Sequence, residues 1–153
     1  MSASESAQAL AQECADAMWA ADRASQAMGI RVESVAPGQA AISMKVRPDM
    51  IGPSGVCSRG AIFLIADSAL AFASNTRGQR VVAQYCDILF DEAACDGEEL
   101  MAEAIERHVS GRKAIYDVRV RTRAGRVIAE MRGQAHILRD RIADAPPGAQ
   151  GQQ

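Results

Sequence analysis

The sequence contains little of what marks nucleic-acid-binding proteins. Aromatic residues make up 4% of its 153 residues, and 17 Lys and Arg stand against 19 Asp and Glu, for a formal net charge of −2. Proteins that bind nucleic acid carry a basic surface and, for single strands, aromatic stacking platforms. The composition therefore argues against that class, and we expect no nucleic-acid partner.

The sequence also lacks long apolar runs and a targeting signal. No stretch approaches the roughly 20 apolar residues that span a bilayer. The first residues, MSASESAQALAQ, have neither the basic region nor the apolar region of a secretory signal. We therefore expect a cytoplasmic protein with no membrane partner.

The cysteines and histidines are too few and too widely spaced for a fold held by disulfide bonds or by a bound metal ion. The four cysteines contain no CxxC pair, and His108 and His136 are both distant in sequence from any cysteine. A zinc site or a disulfide framework needs closer and more regular spacing. We expect free thiols and no metal ligand.

The length and composition fit one globular domain with short flanking segments. Hydrophobic residues make up 48% and charged residues 24% of the chain, which is typical of folded soluble domains. The pattern divides into an N-terminal helical segment (1–29), a main domain (30–140) and a tail (141–153). The end of this tail is rich in Pro, Gly, Ala and Gln, so we expect it to be disordered.

Helical and strand periodicities alternate along the chain. The segment 6–29 is rich in Ala, Gln, Met and Leu and predicts one helix with Gly29 as its C-cap. Two strands follow around the Pro37-Gly38 turn. Ser58 is a candidate N-cap for a helix over 59–76, whose core AIFLIADSALAFA is apolar on all sides and so predicts a buried helix.

Strand-like runs make up most of the remaining sequence, and three short turns separate them. Short turns favour antiparallel neighbours. We therefore expect an α+β fold in which a curved antiparallel sheet of about five or six strands wraps one long central helix. The last four predicted strands are Arg80–Phe90, Glu98–His108, Arg112–Arg123 and Arg126–Leu138.

This arrangement and one sequence block resemble the hotdog-fold acyl-CoA thioesterases, with the PaaI-like enzymes of phenylacetate degradation as the most similar group. The block covers residues 50–78, and its most specific parts are Ile65-Ala-Asp67 and the run AFASNTRG over 71–78. The run GRVIAEMRG over 125–133 is similar to the last strand of that family. The resemblance extends over about residues 28–139.

The resemblance implies hydrolysis of an acyl-CoA thioester by a homodimer or homotetramer. It implies a site that spans the subunit interface, with an acidic residue from one copy and a backbone amide from the other. No cofactor is implied, because coenzyme A enters as part of the substrate.

Asp67 is the first catalytic candidate. Its neighbours at helical spacing are Phe63, Leu64, Leu70 and Ala71, so no cation on its own helix can pair with it. A carboxylate in apolar surroundings has a raised pKa and suits proton transfer. In the family the Asp of this motif is the general base or nucleophile. The alternative is a structural Asp that caps backbone or meets an arginine of the sheet.

The start of the central helix is the second candidate. The first turn of a helix leaves backbone N–H groups free to stabilise an oxyanion. The resemblance places this role at Arg59 and Gly60. The sequence departs from the family pattern at Gly52, at Ser58 and at Arg59 itself, where relatives carry Asn, His and Gly; Ser54 or Ser58 could replace the lost side chains.

Two regions are candidates for substrate contact. The acyl group is expected in an apolar groove near Phe63, Leu64 and Phe72. Arg112 and Lys113 follow the Ser110-Gly111 turn, near which relatives often bind CoA, and their charges suit its phosphates. A solvated sheet face is the favoured interpretation of Arg119, Arg121 and Arg123.

Two further functions remain open at this point. The altered residues Gly52, Ser58 and Arg59 are compatible with a non-catalytic hotdog module that binds acyl-CoA or serves as a dimerisation unit. An enoyl-CoA hydratase on the same fold needs an Asp–His pair beside the helix, and neither His108 nor His136 lies there.

Overall fold

The computed structural model describes residues 2–144 as one sheet, three α-helices and two short 3-10 turns. Within these residues no helix combines the length and apolar character needed to cross a membrane. In chain order the elements are α1 (Ala3–Ala21), α2 (Arg23–Ala27), β1 (Arg31–Ala36), β2 (Gln39–Lys45), a 3-10 turn (Pro48–Met50), α3 (Arg59–Ser74), β3 (Gln79–Phe90), β4 (Glu99–Ser110), β5 (Lys113–Thr122), β6 (Val127–Arg141) and a second 3-10 turn (Ile142–Asp144).

The predicted α+β architecture is confirmed. The six strands form one antiparallel sheet in the order β1-β2-β4-β5-β6-β3. α3 lies against one face of this sheet and contacts every strand. The core is made by the inward side chains of the strands and the buried side of α3, with Phe72, Ile65 and Tyr116 among its largest fully buried residues.

Gly133 on β6 sets how closely α3 can approach the sheet. A Cβ at this position would lie 2.0 Å from Leu70 Cδ1, well inside van der Waals contact. Leu70 is itself 1% exposed and cannot move aside without disturbing the core. Glycine is therefore required here for close packing, and α3 passes directly over the strand.

The C-terminal end of α3 is fixed to the sheet by a polar cluster. Arg77, just after the helix, pairs with both carboxylate oxygens of Glu106 on β4. The Tyr116 hydroxyl on β5 donates to the same carboxylate at 2.9 Å. Thr76 Oγ1 accepts from the Gly38 amide at 2.8 Å, which ties the β1–β2 turn to this end of the helix.

The N-terminal segment differs from the single helix predicted over 6–29. It forms two helices that break at Asp22, whose side chain accepts a hydrogen bond from the Ser25 amide at 2.9 Å. A short polar side chain that bonds the backbone two or three residues ahead competes with helix continuation. Asp22 therefore ends α1 and caps α2.

The neighbour relationship predicted for the strands after the central helix is wrong at one point. β3 and β4 are consecutive in sequence but do not pair; β3 pairs with β6, and β4 with β2 and β5. The turn at 95–97 lies in a longer connection over 91–98 that crosses between the strands. Periodicity defines each strand but not its partner.

The C-terminal tail predicted over 141–153 begins later than expected. β6 continues to Arg141, and the Ile142 amide donates to the Gly78 carbonyl at 2.9 Å, so residues 141–144 are part of the packed structure. The rest of the predicted tail, 145–153, lies outside the described residues.

The two edges of the sheet differ. β1 is six residues long, and the Gln8 side chain on α1 donates to its Val35 carbonyl at 2.7 Å. β3 is twelve residues long, and among residues 2–144 no strand pairs with its outer edge. Val82, Tyr85 and Leu89 on β3 are exposed, the last two by 57% and 61%. A long edge with exposed apolar side chains is suited to pairing with another strand.

Candidate active site

Asp67 lies in the middle of α3 on its least covered side. The side chain is half-buried, and within residues 2–144 it makes no hydrogen bond or ion pair. Burial raises the pKa of its carboxyl, and the nearby charge of Asp22 raises that pKa further. No arginine pairs with this carboxyl among the described residues, so it accepts a proton more readily than the carboxyl of an exposed Asp.

The neighbours of Asp67 form an open stripe along α3, defined by Gly60, Phe63, Leu64, Asp67 and Ala71. These residues are half-buried or exposed, whereas the remaining sides of the helix face the core. α3 is therefore not enclosed on all sides as its composition predicts. The stripe is the side of the helix that remains open to substrate or to another protein surface.

Cys86 on β3 lies near this stripe. Burial raises the pKa of its thiol, and the charge of Asp67 raises that pKa further. A thiol with a raised pKa is a poor nucleophile. Cys86 therefore contributes an uncharged, weakly polar wall beside Asp67.

The N-terminus of α3 offers two backbone donors to a ligand. Ser58 is the N-cap, as predicted: its side chain accepts from the Ala61 amide, and its carbonyl accepts from the Ala61 and Ile62 amides. The Arg59 and Gly60 amides donate to no acceptor among the described residues. Free amides at a helix N-terminus suit a developing negative oxygen.

The loop before α3 is held by backbone hydrogen bonds, both within the loop and to the segment after β3. The Ser58 amide donates to the Met50 carbonyl, and the Cys57 amide to the Ala94 carbonyl, both at 2.8 Å. The Gly52 amide is already bonded to the Val56 carbonyl at 2.9 Å, so it is not free for substrate. Ser54 is exposed in the turn between Gly52 and Val56. The loop positions the start of α3 rigidly.

The Arg59 side chain is directed toward the end of β3. Its guanidinium carbon lies 5.6 Å from the centroid of the Phe90 ring, in cation–π geometry. The backbone amide of Arg59 is part of the helix and does not depend on this side chain. Replacement of the family's glycine by Arg therefore leaves the backbone donor in place.

Asp67 and the two free amides are too far apart in one chain to act on one carbonyl. Gly60 precedes Asp67 by seven residues, which corresponds to about 10 Å along the helix axis. A thioester carbonyl and its attacking water need a base and an oxyanion donor within about 3 Å of the atoms they serve. Within one chain, the Asp67 carboxylate and these two amides therefore do not serve the same carbonyl.

The remaining predicted substrate residues are dispersed. Phe63 belongs to the open stripe, but Phe72 is 1% exposed in the core and is not available to a ligand in this chain. Arg112 and Lys113 are exposed and form no ion pair among the described residues. They lie at the turn between β4 and β5, a few residues beyond Glu106. Glu106 pairs with Arg77 just after the C-terminus of α3, so both residues are at the opposite end of α3 from the Gly60 amide of the same chain.

The three arginines on β5 and directly after it form ion pairs, as expected for a solvated sheet face. Arg119 pairs with Glu130 at 2.6 Å, Arg121 with Glu103 at 3.2 Å, and Arg123 just beyond the strand with Glu99 at 2.9 Å. These pairs lie on the face of the sheet away from α3. The three arginines are therefore already engaged and are not offered to a phosphate.

A groove beside the N-terminus of α3 was not anticipated from the sequence. It is open to solvent, has a volume of about 500 Å³, and is lined by residues of α2, the segment 47–51 and the first turns of α3. The signal for it is weak, because small alanines on a short helix look like ordinary helix surface. Within residues 2–144, no group of three or more His, Cys, Asp or Glu could hold a metal ion.

Comparisons with known proteins agree with one another. The family model of the thioesterase superfamily matches residues 54–129. The acyl-coenzyme A thioesterase PaaI of Escherichia coli strain K12 is 32% identical over 124 residues, which cover 81% of this chain and 89% of that protein.

Solved structures give the same result. The E. coli PaaI protein from the phenylacetic acid degradation operon matches with a TM-score of 0.86 at 30% identity, over 88% of this chain and 97% of that chain. A mutant of the phenylacetic acid degradation protein PaaI from Thermus thermophilus matches with a TM-score of 0.74 at 35% identity, over 76% of this chain and 100% of that chain.

Proposed function

Since this chain belongs to the thioesterase superfamily as a PaaI-like hotdog acyl-CoA thioesterase, we propose that Asp67 is the carboxylate with which it hydrolyses acyl-CoA to free acid and CoA. One observation carries the assignment. Asp67 is half-buried on the open stripe, has no hydrogen bond or ion pair within residues 2–144, and has a raised pKa. Family membership favours a hydrolase over a non-catalytic binding module.

The chemistry needs only a base and an oxyanion site. Asp67 takes a proton from water as the water oxygen attacks the thioester carbonyl, and the carbonyl oxygen becomes negative. The Arg59 and Gly60 amides stabilise that oxygen. The C–S bond then breaks, and the CoA thiolate recovers the proton from Asp67. Direct attack by Asp67, which forms an anhydride that water opens, is the second route open to the same carboxylate.

The proposed catalytic unit is a homodimer. The separation of about 10 Å between Gly60 and Asp67 on one helix requires that each site combine the base of one copy with the amides of the other. The outer edge of β3, with which no strand of residues 2–144 pairs, supports joining two sheets across a two-fold axis. A homotetramer would join two such dimers, and the exposed Ile105 and Val109 offer one surface for it.

The same dimer accounts for the position of the basic residues. If the two α3 helices lie antiparallel, the end of one helix is beside the start of the other. Arg112 and Lys113 of one copy then approach the amides of its partner, where the phosphates of CoA need cations. Ser54 and Ser58 line the approach to those amides.

We place the reaction in the cytoplasm and assign it no cofactor. All four cysteines are free thiols, whether buried, as Cys14 and Cys57 are, or exposed, as Cys95 is. Free thiols are usual in a reducing compartment. Thioester hydrolysis by a carboxylate and amide donors requires no redox group or metal.

Release of free CoA thiol tests the activity itself. The assay follows hydrolysis of phenylacetyl-CoA, octanoyl-CoA and acetyl-CoA by the wild-type protein against a reaction without enzyme. Turnover above that background supports the proposal. Binding of acyl-CoA in calorimetry without any turnover contradicts it and supports the non-catalytic module.

Asp22 gives a prediction for the pH profile. A base with a raised pKa loses activity as pH falls through that pKa, so kcat/KM rises with pH on its acidic limb. The charge of Asp22 is one of the two causes that raise the pKa of Asp67. Asp22→Asn keeps an N-cap acceptor for Ser25 and removes the charge. The acidic limb is expected to shift to lower pH.

The matched control is Asp16→Asn, an exposed acid on α1. Its profile is expected to overlay that of the wild type. An Asp22→Asn profile that also overlays the wild type would show that Asp22 does not influence the catalytic base.

A further inference from the structure

The N-terminal segment runs past α3 in the opposite direction. Beyond the C-terminus of α3, a Cβ at Gly78 would lie 3.7 Å from Leu10 Cδ1 on α1. In the middle of α3, Ser68 contacts Ser25 on α2. The chain order of these contacts is reversed between the two partners, so α1 and α2 lie antiparallel to α3. The break between α1 and α2 therefore lies beside the middle of α3.

A buried hydrogen bond joins α2 to α3. Ser25 Oγ and Ser68 Oγ lie 3.1 Å apart, and the two residues are 1% and 9% exposed. A buried hydroxyl without a partner is costly, so this bond favours one position of α2 on α3. Because a helix of five residues has little stability alone, α2 depends on such contacts for its place. Ser68 directly follows Asp67 in the chain.

Ser25 also holds the carboxylate of Asp22. The Ser25 amide donates to Asp22 Oδ1 at 2.9 Å, and the Gln26 amide donates to the Asp22 carbonyl at 3.1 Å. Two successive hydrogen bonds therefore connect the Asp22 carboxylate to the residue next to Asp67. Removal of the hydroxyl from either serine breaks this connection but leaves the cap on α2 intact.

Asp22 is the charged group that acts on Asp67. Burial raises the pKa of Asp67 most, and the charge of Asp22 raises that pKa further. Arg23, which follows Asp22, is exposed and forms no ion pair among the described residues. On β3, Cys86 interacts with Asp67 but stays uncharged because the pKa of its own thiol is raised. A like charge favours the protonated form of a carboxyl, so the position of Asp22 affects the strength of Asp67 as a base.

We propose that the Ser25–Ser68 hydrogen bond holds the Asp22 carboxylate in place beside Asp67, and that the N-terminal segment thereby strengthens the catalytic base. The inference rests on the proposed role of Asp67 in hydrolysis. Ser25 and Ser68 are positioning residues, because they act on Asp67 through Asp22 and not on the substrate. A stronger base takes the proton from the attacking water more readily.

Ser68→Ala tests the hydrogen bond from the side of α3. The variant keeps both carboxylates, so a change in its pH profile reports their relative position. The acidic limb of kcat/KM with octanoyl-CoA is expected to move to lower pH, in the same direction as for Asp22→Asn. About one pH unit below the wild-type midpoint, kcat/KM relative to its plateau is expected to rise about three- to fivefold. Ser25→Ala, which breaks the same bond from α2, is expected to give the same profile.

Ser74→Ala is the matched control. Ser74 is also a buried serine of α3, at 4% exposure, and its hydroxyl donates to the Ala71 carbonyl of the same helix at 3.2 Å. Loss of this hydroxyl costs a buried hydrogen bond without a change in the link to α2. The pH profile of Ser74→Ala is expected to overlay that of the wild type. An equal displacement in Ser74→Ala and Ser68→Ala would overturn the proposal.

A double variant shows whether the serines act through Asp22. In the Asp22→Asn background, Ser68→Ala is expected to displace the acidic limb by less than about a third of its effect in the wild type, because coupled residues are not additive. Equal displacement in both backgrounds would mean that the hydrogen bond acts independently of Asp22, which overturns the proposal. A Ser68→Ala profile that overlays the wild type also overturns it.

An NMR titration of the side-chain carboxyls makes the test independent of catalysis. The resonance of Asp67 is assigned by its absence in Asp67→Asn. Its titration midpoint is expected at lower pH in Ser68→Ala than in the wild type and to be unchanged in Ser74→Ala. This result would support the positioning role even if no acyl-CoA were hydrolysed, whereas identical midpoints in wild type and Ser68→Ala would overturn it.

Discussion

Asp67→Asn is expected to lower kcat for acyl-CoA hydrolysis by about 10²–10⁴-fold, the contribution typical of a positioned general base. Asn has nearly the same shape as Asp, so the packing of α3 is preserved. It cannot accept a proton from water or attack a carbonyl. The measurement is thiol release with phenylacetyl-CoA and octanoyl-CoA, with Asp16→Asn as the control of equal charge change. A variant with wild-type kcat would remove Asp67 from the mechanism.

A stability measurement on the same variant separates a catalytic loss from misfolding. The pKa of Asp67 in the folded chain is raised above its ordinary value of 3.8. The unfolded chain therefore releases this proton at lower pH, and ionisation favours unfolding as pH rises from 3.8 through the folded-state pKa. Asp67→Asn is expected to be more stable than wild type at neutral pH, with a difference that disappears below the unfolded-state pKa. An inactive variant that is less stable at neutral pH would point to a structural role.

The second large effect is expected at the backbone of residue 59. Arg59→Pro removes the free amide, and loss of one oxyanion donor costs about 10²–10³-fold in kcat. Proline is well tolerated at the first helical position because that amide has no intrahelical partner. Ser58, which precedes it, has φ −60° and ψ 138°, the extended conformation that a following proline requires.

Arg59→Ala is the matched control for this backbone change. It removes the same side chain, and its cation–π contact with Phe90, but keeps the N–H. We expect Arg59→Ala to retain kcat within a few-fold of wild type and both variants to melt at similar temperatures. Equal activity of the Pro and Ala variants would exclude the residue-59 amide as an oxyanion donor and leave Gly60 as the candidate.

Local signals in the sequence were sufficient to predict most of the fold. The apolar run over 61–73 identifies the central helix, Ser58 caps it, and the strand alternation gives each strand within a few residues. The order of the strands in the sheet could not be predicted in the same way. The pairing of β3 with β6 depends on how the connection 91–98 crosses the sheet, and no periodicity encodes that path.

The candidate site, like the fold, was only partly predictable from the sequence. Asp67 was identifiable because an acid without a cation at helical spacing is unusual in an apolar helix. Asp22 was not, because it is 45 positions away in sequence and approaches Asp67 only through the break between α1 and α2. The groove beside the N-terminus of α3 was missed for a similar reason: its walls come from three segments that are contiguous only after folding.

Mixing two inactive variants tests most directly whether the site is shared between copies. Asp67→Asn and Arg59→Pro are unfolded together, refolded as a 1:1 mixture, and assayed with octanoyl-CoA. In a mixed dimer with shared sites, one site carries both defects and the other carries none. With random pairing, about half of the dimers are mixed, so about a quarter of wild-type activity is expected to return. If base and amide act within one chain, each site of every dimer keeps a defect, and a mixture no more active than its separate components would contradict the account.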